Sequence, residues 1–278
     1  MPRKRITVPD ILAAKGTRKI AVVTAYDYAS ARLADQAGMD ALLVGDSLAM
    51  VVLGHEDTLS VTMEEMLHHT RAVARGAETA LVIGDMPFLS YQASVEEAVR
   101  NAGRFLKEGR AQAVKIEGGR EMAPQIRAMV AAGIPVMGHV GLRPQQVASM
   151  GGFKVQSKTA EQARILLEDA RIVAEAGCFA VVLEAIPARV AAVVTEKLPV
   201  PTIGIGAGRA CDGQVLVFHD ILGLFDRFTP RFVKRYAEAG QTLTEALGRY
   251  ADEIREGVFP GPEHEFSITD EEFGQFLT

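Results

Sequence analysis

Short apolar runs recur along the chain and are separated by longer amphipathic segments. Each run holds four to six residues, is rich in Val, Ile and Leu, and shows little alternation of apolar and polar positions. Such runs are typical of parallel strands that are buried on both faces of a sheet. We therefore predict eight strands, at residues 20–25, 41–44, 80–83, 113–116, 134–137, 179–183, 201–205 and 215–218.

Most of the segments between these runs have helical features. Thr62 and Ser94 each stand three residues before a glutamate, which is the pattern of a capping box at a helix start. Gly109 and Gly177 lie where helices should end, before the next apolar run. Residues 159–176 carry small and apolar side chains at helical spacing. Eight strands with seven crossovers in one chain predict an α/β fold, a (β/α)8 TIM barrel.

An open, doubly wound sheet is the competing fold. Its dinucleotide fingerprint should follow the first strand, but residues 24–28 contain no glycine. Glycines at 204, 206 and 208 follow the seventh strand, with a spacing that differs from that fingerprint. Barrels often bind phosphate near this point, and glycines also let a loop and a helix approach closely. The sequence leaves both interpretations of this glycine run open.

The two ends of the chain lie outside the strand pattern. Residues 8–15 resemble a short helix, within an N-terminal segment (1–18) that would plug the bottom of the barrel. Residues 230–256 are predicted to form a C-terminal helical extension, and residues 258–278 a tail that is a surface extension or a subunit arm. No linker or repeat suggests a second domain, so residues 1–278 are expected to form one domain.

Composition and charge narrow the functional class. Hydrophobic residues make up 48% of the chain and charged residues 23%, which is ordinary for a globular protein with one core. The net charge of −5 argues against a nucleic-acid binder, which needs a basic surface. Neither a membrane span nor a signal peptide is evident, so a cytoplasmic protein is expected. Cys178 and Cys211 are too few and too distant for a metal knuckle, and are predicted to be buried apolar groups.

Charged side chains concentrate where the predicted strands end, and active sites of such barrels lie at that end. Asp46, Asp85, Glu117 and Glu184 follow or end separate strands, and Lys115 shares a strand face with Glu117. A lone aspartate there is usually a helix cap, but four carboxylates together need protonation, basic partners or a cation. Two carboxylates about 5 Å apart repel by roughly 3 kcal/mol. Oxygen ligands without paired His or Cys favour Mg²⁺ over Zn²⁺.

The predicted cation suggests a reaction class. A divalent ion with open coordination positions would chelate a 2-oxo acid and, as a Lewis acid, stabilise its enolate. Removal of a carbon-bound proton needs a base outside the metal shell, and Glu184 is the candidate. Lys115 would hold the substrate carboxylate or the enolate oxygen.

Seven motifs occur in a specific order, and together they resemble the ketopantoate hydroxymethyltransferase family from about Val8 to about His264. The motifs are TAYD at 24–27, VGDS at 44–47, GDMPF at 84–88, VKIEGG at 114–119, GHVGL at 138–142, GGFKVQ at 151–156 and IGIGAG at 203–208. The resemblance implies transfer of a hydroxymethyl group from 5,10-methylenetetrahydrofolate to 3-methyl-2-oxobutanoate, the first committed step of pantothenate biosynthesis. It also implies a Mg²⁺-dependent, cytoplasmic homodecamer.

The resemblance assigns roles to residues of this chain that match the family's motifs. The metal-site positions match Asp46, Asp85 and, in the inner or outer shell, Glu117. The oxo-acid contacts match Asp46, Ser47, Asp85 and Lys115. The general base matches Glu184. Two departures stand near loops, Ala49 and Ser157, where the family pattern has glycine.

Several other polar residues have more than one interpretation. His139 follows the fifth strand and is compatible with a catalytic group or with a hydrogen-bonding partner of one. His68 and His69 lie on a predicted helical face, and His55 lies in a predicted loop over the mouth. Zinc and serine hydrolase motifs are absent from the sequence. A C–C lyase or phosphonopyruvate-type mutase on the same barrel, and a non-catalytic oxo-acid-binding protein, are the rival functions.

Overall fold

Eight parallel strands pair in sequence order and close into a barrel, which confirms the predicted fold. The structure is a computed structural model and describes residues 3–146 and 155–278. The strands are β1 Ile20–Thr24, β2 Ala41–Val44, β3 Leu81–Asp85, β4 Ala113–Glu117, β5 Val136–Gly141, β6 Ala180–Glu184, β7 Thr202–Ile205 and β8 Gly213–Leu216. Strands β5 and β8 are displaced from the predicted runs because they contain glycines, which carry no apolar signal.

Helices follow most strands and form the outer layer. They are α1 Val8–Ala13, α2 Tyr28–Gln36, α3 Leu48–Val51, α4 Met63–Gly76, α5 Val95–Lys107, α6 Ala123–Ala131, α7 Ala160–Glu175, α8 Ala188–Lys197, α9 Phe218–Ile221, α10 Ala239–Arg255 and α11 Asp270–Phe276. Short 3-10 turns occupy Arg120–Met122, Pro144–Gln146 and Pro262–His264. Two apolar cores result, one inside the barrel and one between strands and helices.

The predicted helix starts follow their capping residues. Thr62 Oγ1 accepts a hydrogen bond from Glu65 N (3.2 Å), and Glu65 Oε2 accepts one from Thr62 N (2.8 Å), so this capping box is complete. Ser94 Oγ accepts from Glu97 N at 3.1 Å, but Glu97 returns no bond, so only half of the second predicted box forms.

Both chain ends contain helix, with one correction. In α1, Ile11 is 1% exposed and packs with residues of the barrel interior. The prediction of helix across 230–256 is wrong for residues 230–238, because α10 begins at Ala239. Within that stretch the Tyr236 amide bonds to the carbonyl of Ile221 at 2.7 Å instead of to a carbonyl four residues earlier. Pro230 cannot donate such a bond.

The connection from β7 to β8 contains no helix, in contrast to the other crossovers. Asp212 at its end accepts bonds from Thr202 N (2.9 Å) and Lys15 Nζ (2.8 Å), which hold it against the strands. On the outer wall of the barrel between β8 and β1, Ala21 pairs with Gln214 and both residues are exposed.

Three other sequence observations have structural outcomes. Cys178 and Cys211 are unpaired and buried as predicted, and burial raises the pKa of the Cys178 thiol to about 12. Ser157, which departs from the family glycine, has φ +57°, a left-handed conformation that glycine adopts without strain. Residues 151–154 of the GGFKVQ motif lie outside the described residues. Across 3–146 and 155–278, no helix is both long and apolar enough to cross a bilayer.

Candidate active site

The predicted site residues line one cavity of about 460 Å³ at the carboxyl end of the barrel. Asp85, Lys115, Glu117 and Glu184 lie at the ends of β3, β4 and β6, where alternate strand residues face the interior, whereas Asp46 and Ser47 lie in the segment that follows β2. The set that the structure brings together is Asp46, Ser47, Asp85, Lys115, Glu117 and Glu184. Every predicted site residue therefore opens onto the same space.

Lys115 lies at the centre of the cavity floor, which is the polar end of the cavity that Asp46, Asp85, Glu117 and Glu184 line together with this lysine. Its Nζ lies 2.7 Å from Asp85 Oδ1 and 3.6 Å from Glu117 Oε1, and all three side chains are buried. Burial acts to lower the pKa of Lys115, but the surrounding carboxylates outweigh burial and raise it above the ordinary value. The lysine is therefore an ammonium ion at neutral pH.

His139 connects two of the carboxylates. Its Nδ1 lies 3.3 Å from Glu117 Oε1, and its Nε2 lies 3.2 Å from Glu184 Oε2, a close charge contact without hydrogen-bond alignment. Burial and Lys115 act to lower the pKa of His139, but Glu117 and Glu184 raise it to about 9. An imidazolium at this position attracts the Glu184 carboxylate across this contact.

Asp46 and Asp85 adjoin each other on the opposite side. The Asp46 amide donates to Asp85 Oδ2 at 3.3 Å. Burial, together with the charges of Asp85 and Glu117, raises the pKa of Asp46 well above its usual range. Burial also raises the pKa of Asp85, although Lys115 acts in the opposite direction. Both aspartates are therefore easier to protonate than free aspartate side chains, and a further positive charge nearby would favour their ionised forms.

The charges of the floor match a divalent cation. If Asp46, Asp85, Glu117 and Glu184 are all ionised, their four negative charges stand against one ammonium and one imidazolium, which leaves two negative charges for a bound ion to balance. Asp85 Oδ1 is buried and has no aligned hydrogen-bond donor among the residues that the structure describes, although Lys115 Nζ is near. A hard divalent ion would supply the missing charge and use such a carboxylate oxygen as a ligand.

Within residues 3–146 and 155–278, no three Asp, Glu, His or Cys side chains already surround a common metal position. Lys115 stands between Asp85 and Glu117, and Glu117 is further engaged by His139. Mg²⁺ is usually held by one or two carboxylates, with water and substrate oxygens completing its octahedron. The pair Asp46 and Asp85 meets that requirement.

Gln145 and Tyr91 organise the floor and were not found from the sequence. Gln145 Nε2 donates to Asp46 Oδ2 (3.0 Å) and to the carbonyl of Met86 (2.9 Å). Its backbone amide donates to Glu117 Oε2 at 3.1 Å, and its Oε1 accepts from the Tyr91 hydroxyl at 2.7 Å. Gln145 follows β5 in a loop, where a neutral polar residue gives no signal of burial.

Two further contacts fix the edges of the floor. Ser47 Oγ shares a hydrogen bond of 2.8 Å with the hydroxyl of Tyr26, which is buried. His69, from the predicted helical face, contacts the Tyr26 carbonyl through Nδ1 at 2.6 Å.

Gly141 has φ +102°, and a Cβ there would lie 2.3 Å from the carbonyl oxygen of Glu184. A side chain at position 141 would therefore displace Glu184.

Comparison with known proteins decides the family. A family model described as ketopantoate hydroxymethyltransferase matches residues 5–262. The chain belongs to that ketopantoate hydroxymethyltransferase family. It is 69% identical over 268 residues to 3-methyl-2-oxobutanoate hydroxymethyltransferase of Syntrophobacter fumaroxidans, covering 96% of this chain and 95% of that protein. The protein of the same name from Oleidesulfovibrio alaskensis is 62% identical, with 97% and 93% covered.

Solved structures of other enzymes share the fold of this hydroxymethyltransferase family member. A phosphonopyruvate hydrolase in complex with oxalate and Mg²⁺ aligns with a TM-score of 0.61 at 15% identity, covering 98% of this chain and 96% of the other. A 2,3-dimethylmalate lyase aligns with a TM-score of 0.59 at 17% identity, with 97% and 94% covered. At such identities the likeness establishes the barrel alone. Family membership favours the transferase over the lyase and mutase alternatives.

Proposed function

We propose that this protein transfers a hydroxymethyl group from 5,10-methylenetetrahydrofolate to 3-methyl-2-oxobutanoate, forming 2-dehydropantoate for pantothenate biosynthesis. The observation that carries the proposal is the cavity floor, where the buried carboxylates of Asp46, Asp85 and Glu117 surround Lys115 and Glu184 lines the same cavity. Relatives that bear the name of this activity align with nearly the whole chain and support the proposal.

The residues of the floor would hold the oxo acid and Mg²⁺. Asp46 and Asp85 would bind the metal, and Glu117 would stand in its surrounding shell, because Lys115 and His139 already engage that carboxylate. When bound, Mg²⁺ acts as a Lewis acid on the keto and carboxylate oxygens. Lys115, whose ammonium group lies 2.7 Å from the Asp85 carboxylate, would stabilise the negative charge that develops on the oxo-acid oxygen.

Glu184 acts as the general base. It removes the proton from C3 of the oxo acid, and the nearby imidazolium of His139 orients its carboxylate. The carbanion at C3 then attacks the methylene carbon carried by folate. Both bonds from the methylene carbon to folate nitrogens break, and water supplies the hydroxyl oxygen. One nitrogen of tetrahydrofolate takes the proton that Glu184 removed from C3, and the other takes a proton from water.

A product assay tests this reaction. Purified protein with 3-methyl-2-oxobutanoate, 5,10-methylenetetrahydrofolate and Mg²⁺ should form 2-dehydropantoate and tetrahydrofolate in equal amounts. Cleavage of the oxo acid in the absence of folate would instead indicate a lyase. Binding of the oxo acid by calorimetry, without exchange of its C3 proton, would indicate a non-catalytic protein.

We also propose that the chain forms a homo-oligomer, the decamer of its family, in the cytoplasm. Helix α10 has no buried residue, yet its apolar side chains share one face at helical spacing. Those side chains are 47–67% exposed: Leu243, Leu247, Tyr250 and Ile254. The same chain leaves the barrel wall at Ala21 and Gln214 without a covering helix. A second copy offers an apolar helix for that wall.

A charged residue on the apolar face of α10 should disrupt the assembly. Leu247→Asp places a carboxylate among the exposed apolar side chains, and we expect the mass from size-exclusion chromatography with light scattering to fall several-fold. Gln241→Asp adds the same charge to the opposite face. It removes the hydrogen bond of Gln241 to Glu245, but it lies in the first turn, where the helix dipole favours a carboxylate. An unchanged mass for Leu247→Asp, or a monomeric unmodified protein, would contradict the proposal.

A further inference from the structure

The cavity has two chemically different halves. Its floor is polar and buried, whereas its rim is mostly apolar and opens towards solvent. The rim side chains include Val51, Leu142, Val155, Phe225, Phe228 and Phe232. A cavity of about 460 Å³ is within the range that holds a drug-sized ligand. A five-carbon oxo acid on the floor therefore leaves the rim free for a second, larger molecule.

The aromatic side chains of the rim present ring surface to the cavity. Phe225 is buried, and its ring meets that of Phe228 edge to face at 5.5 Å between centroids. Phe228 and Phe232 are 50% and 40% exposed. Phe232 packs onto the end of β7, where a Cβ on Gly206 would lie 2.7 Å from its ring. Exposed rings fixed beside a cavity are suited to stacking against a flat ligand.

Asp220 adds one carboxylate to this rim. It lies on α9, lines the same cavity and is half-buried. With the residues the structure describes, its carboxylate makes neither a hydrogen bond nor an ion pair. Burial raises the pKa of Asp220 to about 6, and the more distant charge of Arg235 lowers it only in part. A partly buried carboxylate without a donor is costly unless a ligand supplies one.

We propose that Asp220, with Phe228 and Phe232, binds the pterin ring of the folate co-substrate. The pyrimidine half of a pterin presents a ring N–H and an amino group side by side, and a carboxylate can accept both bonds. The flat ring stacks on the aromatic side chains of the rim. Because Asp220 and Glu184 line one cavity, the methylene group of folate can reach the oxo acid on the floor. The assignment rests on the proposed transferase function.

The test separates folate binding from the chemistry of the oxo acid. In Asp220→Asn the amide cannot accept both hydrogen bonds, so KM for 5,10-methylenetetrahydrofolate should rise by roughly ten-fold or more. KM for the oxo acid and the folate-free exchange of its C3 proton should stay unchanged. Asp226→Asn, an exposed carboxylate six residues along the same segment, should leave all three values at those of the unmodified protein.

Direct binding distinguishes this inference from the proposed reaction. Calorimetry with tetrahydrofolate should give a Kd that rises at least ten-fold in Asp220→Asn and rises also in Phe232→Leu. If the protein binds tetrahydrofolate through Asp220 but forms no product, the reaction is wrong and the site stands. If product forms and both the folate KM and this Kd are unchanged in Asp220→Asn, the site is wrong. Loss of C3 proton exchange in Asp220→Asn would also contradict the folate-binding role, because Asp220 would then take part in the reaction of the oxo acid on the floor.

Discussion

Replacing Glu184 with glutamine should slow the exchange of the C3 proton of 3-methyl-2-oxobutanoate by about 10²–10⁴-fold, the usual contribution of a general base. Glutamine preserves the size of the side chain and its place beside His139, but it cannot accept the proton. The rate is measured by NMR in D₂O with Mg²⁺ and no folate, so that only enolisation is observed. Binding of Mg²⁺ and of the oxo acid should remain largely intact.

A matched substitution controls for the loss of one carboxylate. Glu196→Gln makes the same chemical change on the exposed surface of α8, and its exchange rate should equal that of the unmodified protein. If Glu184→Gln exchanges the C3 proton at the unmodified rate, another group is the base and the role assigned to Glu184 is wrong.

Replacing Lys115 with methionine should lower the free energy of unfolding of the metal-free protein by about 3–5 kcal/mol at pH 7. Methionine matches the length of lysine but leaves Asp85 and Glu117 buried beside each other without their ammonium partner. Loss of one member of a buried charge network has this typical cost. Urea unfolding in a chelator measures the difference.

The difference in free energy of unfolding between Lys115→Met and the unmodified protein should also depend on pH. Although burial acts to raise it, Lys115 and His139 lower the pKa of Glu117 in the folded state. Ionised Glu117 therefore stabilises the fold above its unfolded pKa, and this contribution is lost as pH falls through the folded pKa. The gap between the methionine variant and the unmodified protein should narrow as acid protonates the carboxylates.

Lys107→Met on the exposed end of α5 removes a surface charge and should change the free energy of unfolding by less than about 0.5 kcal/mol. If Lys115→Met and Lys107→Met have the same free energy of unfolding in chelator, the lysine does not stabilise the buried carboxylates of the floor, and the prediction is wrong.

The barrel and its floor were predictable because their signals are local. A strand buried on both faces is apolar along its length, so a charged residue at its end is easy to identify in the sequence. Lys115 and Glu117 are two residues apart on one strand, so a common face follows from strand geometry alone. The family motifs then assigned roles to these positions.

Other features depend on contacts between distant segments. Gln145 donates a hydrogen bond to Asp46, which is 99 residues away in sequence, and the local sequence around either residue does not predict that bond. The connection without a helix after β7 and the non-helical stretch at 230–238 are held by such contacts, for example that of Asp212 with Lys15. The apolar rim around Asp220 likewise combines residues that are far apart in sequence, from Val51 to Phe232.

The dependence of C3 proton exchange on a divalent cation tests the central claim most directly. Unmodified protein in D₂O with 3-methyl-2-oxobutanoate and Mg²⁺, without folate, should exchange the proton rapidly. Added chelator should reduce the rate to that of the protein-free solution, and excess Mg²⁺ should restore it. Exchange that continues at full rate in chelator would show that the carboxylates around Lys115 need no divalent ion to activate the oxo acid.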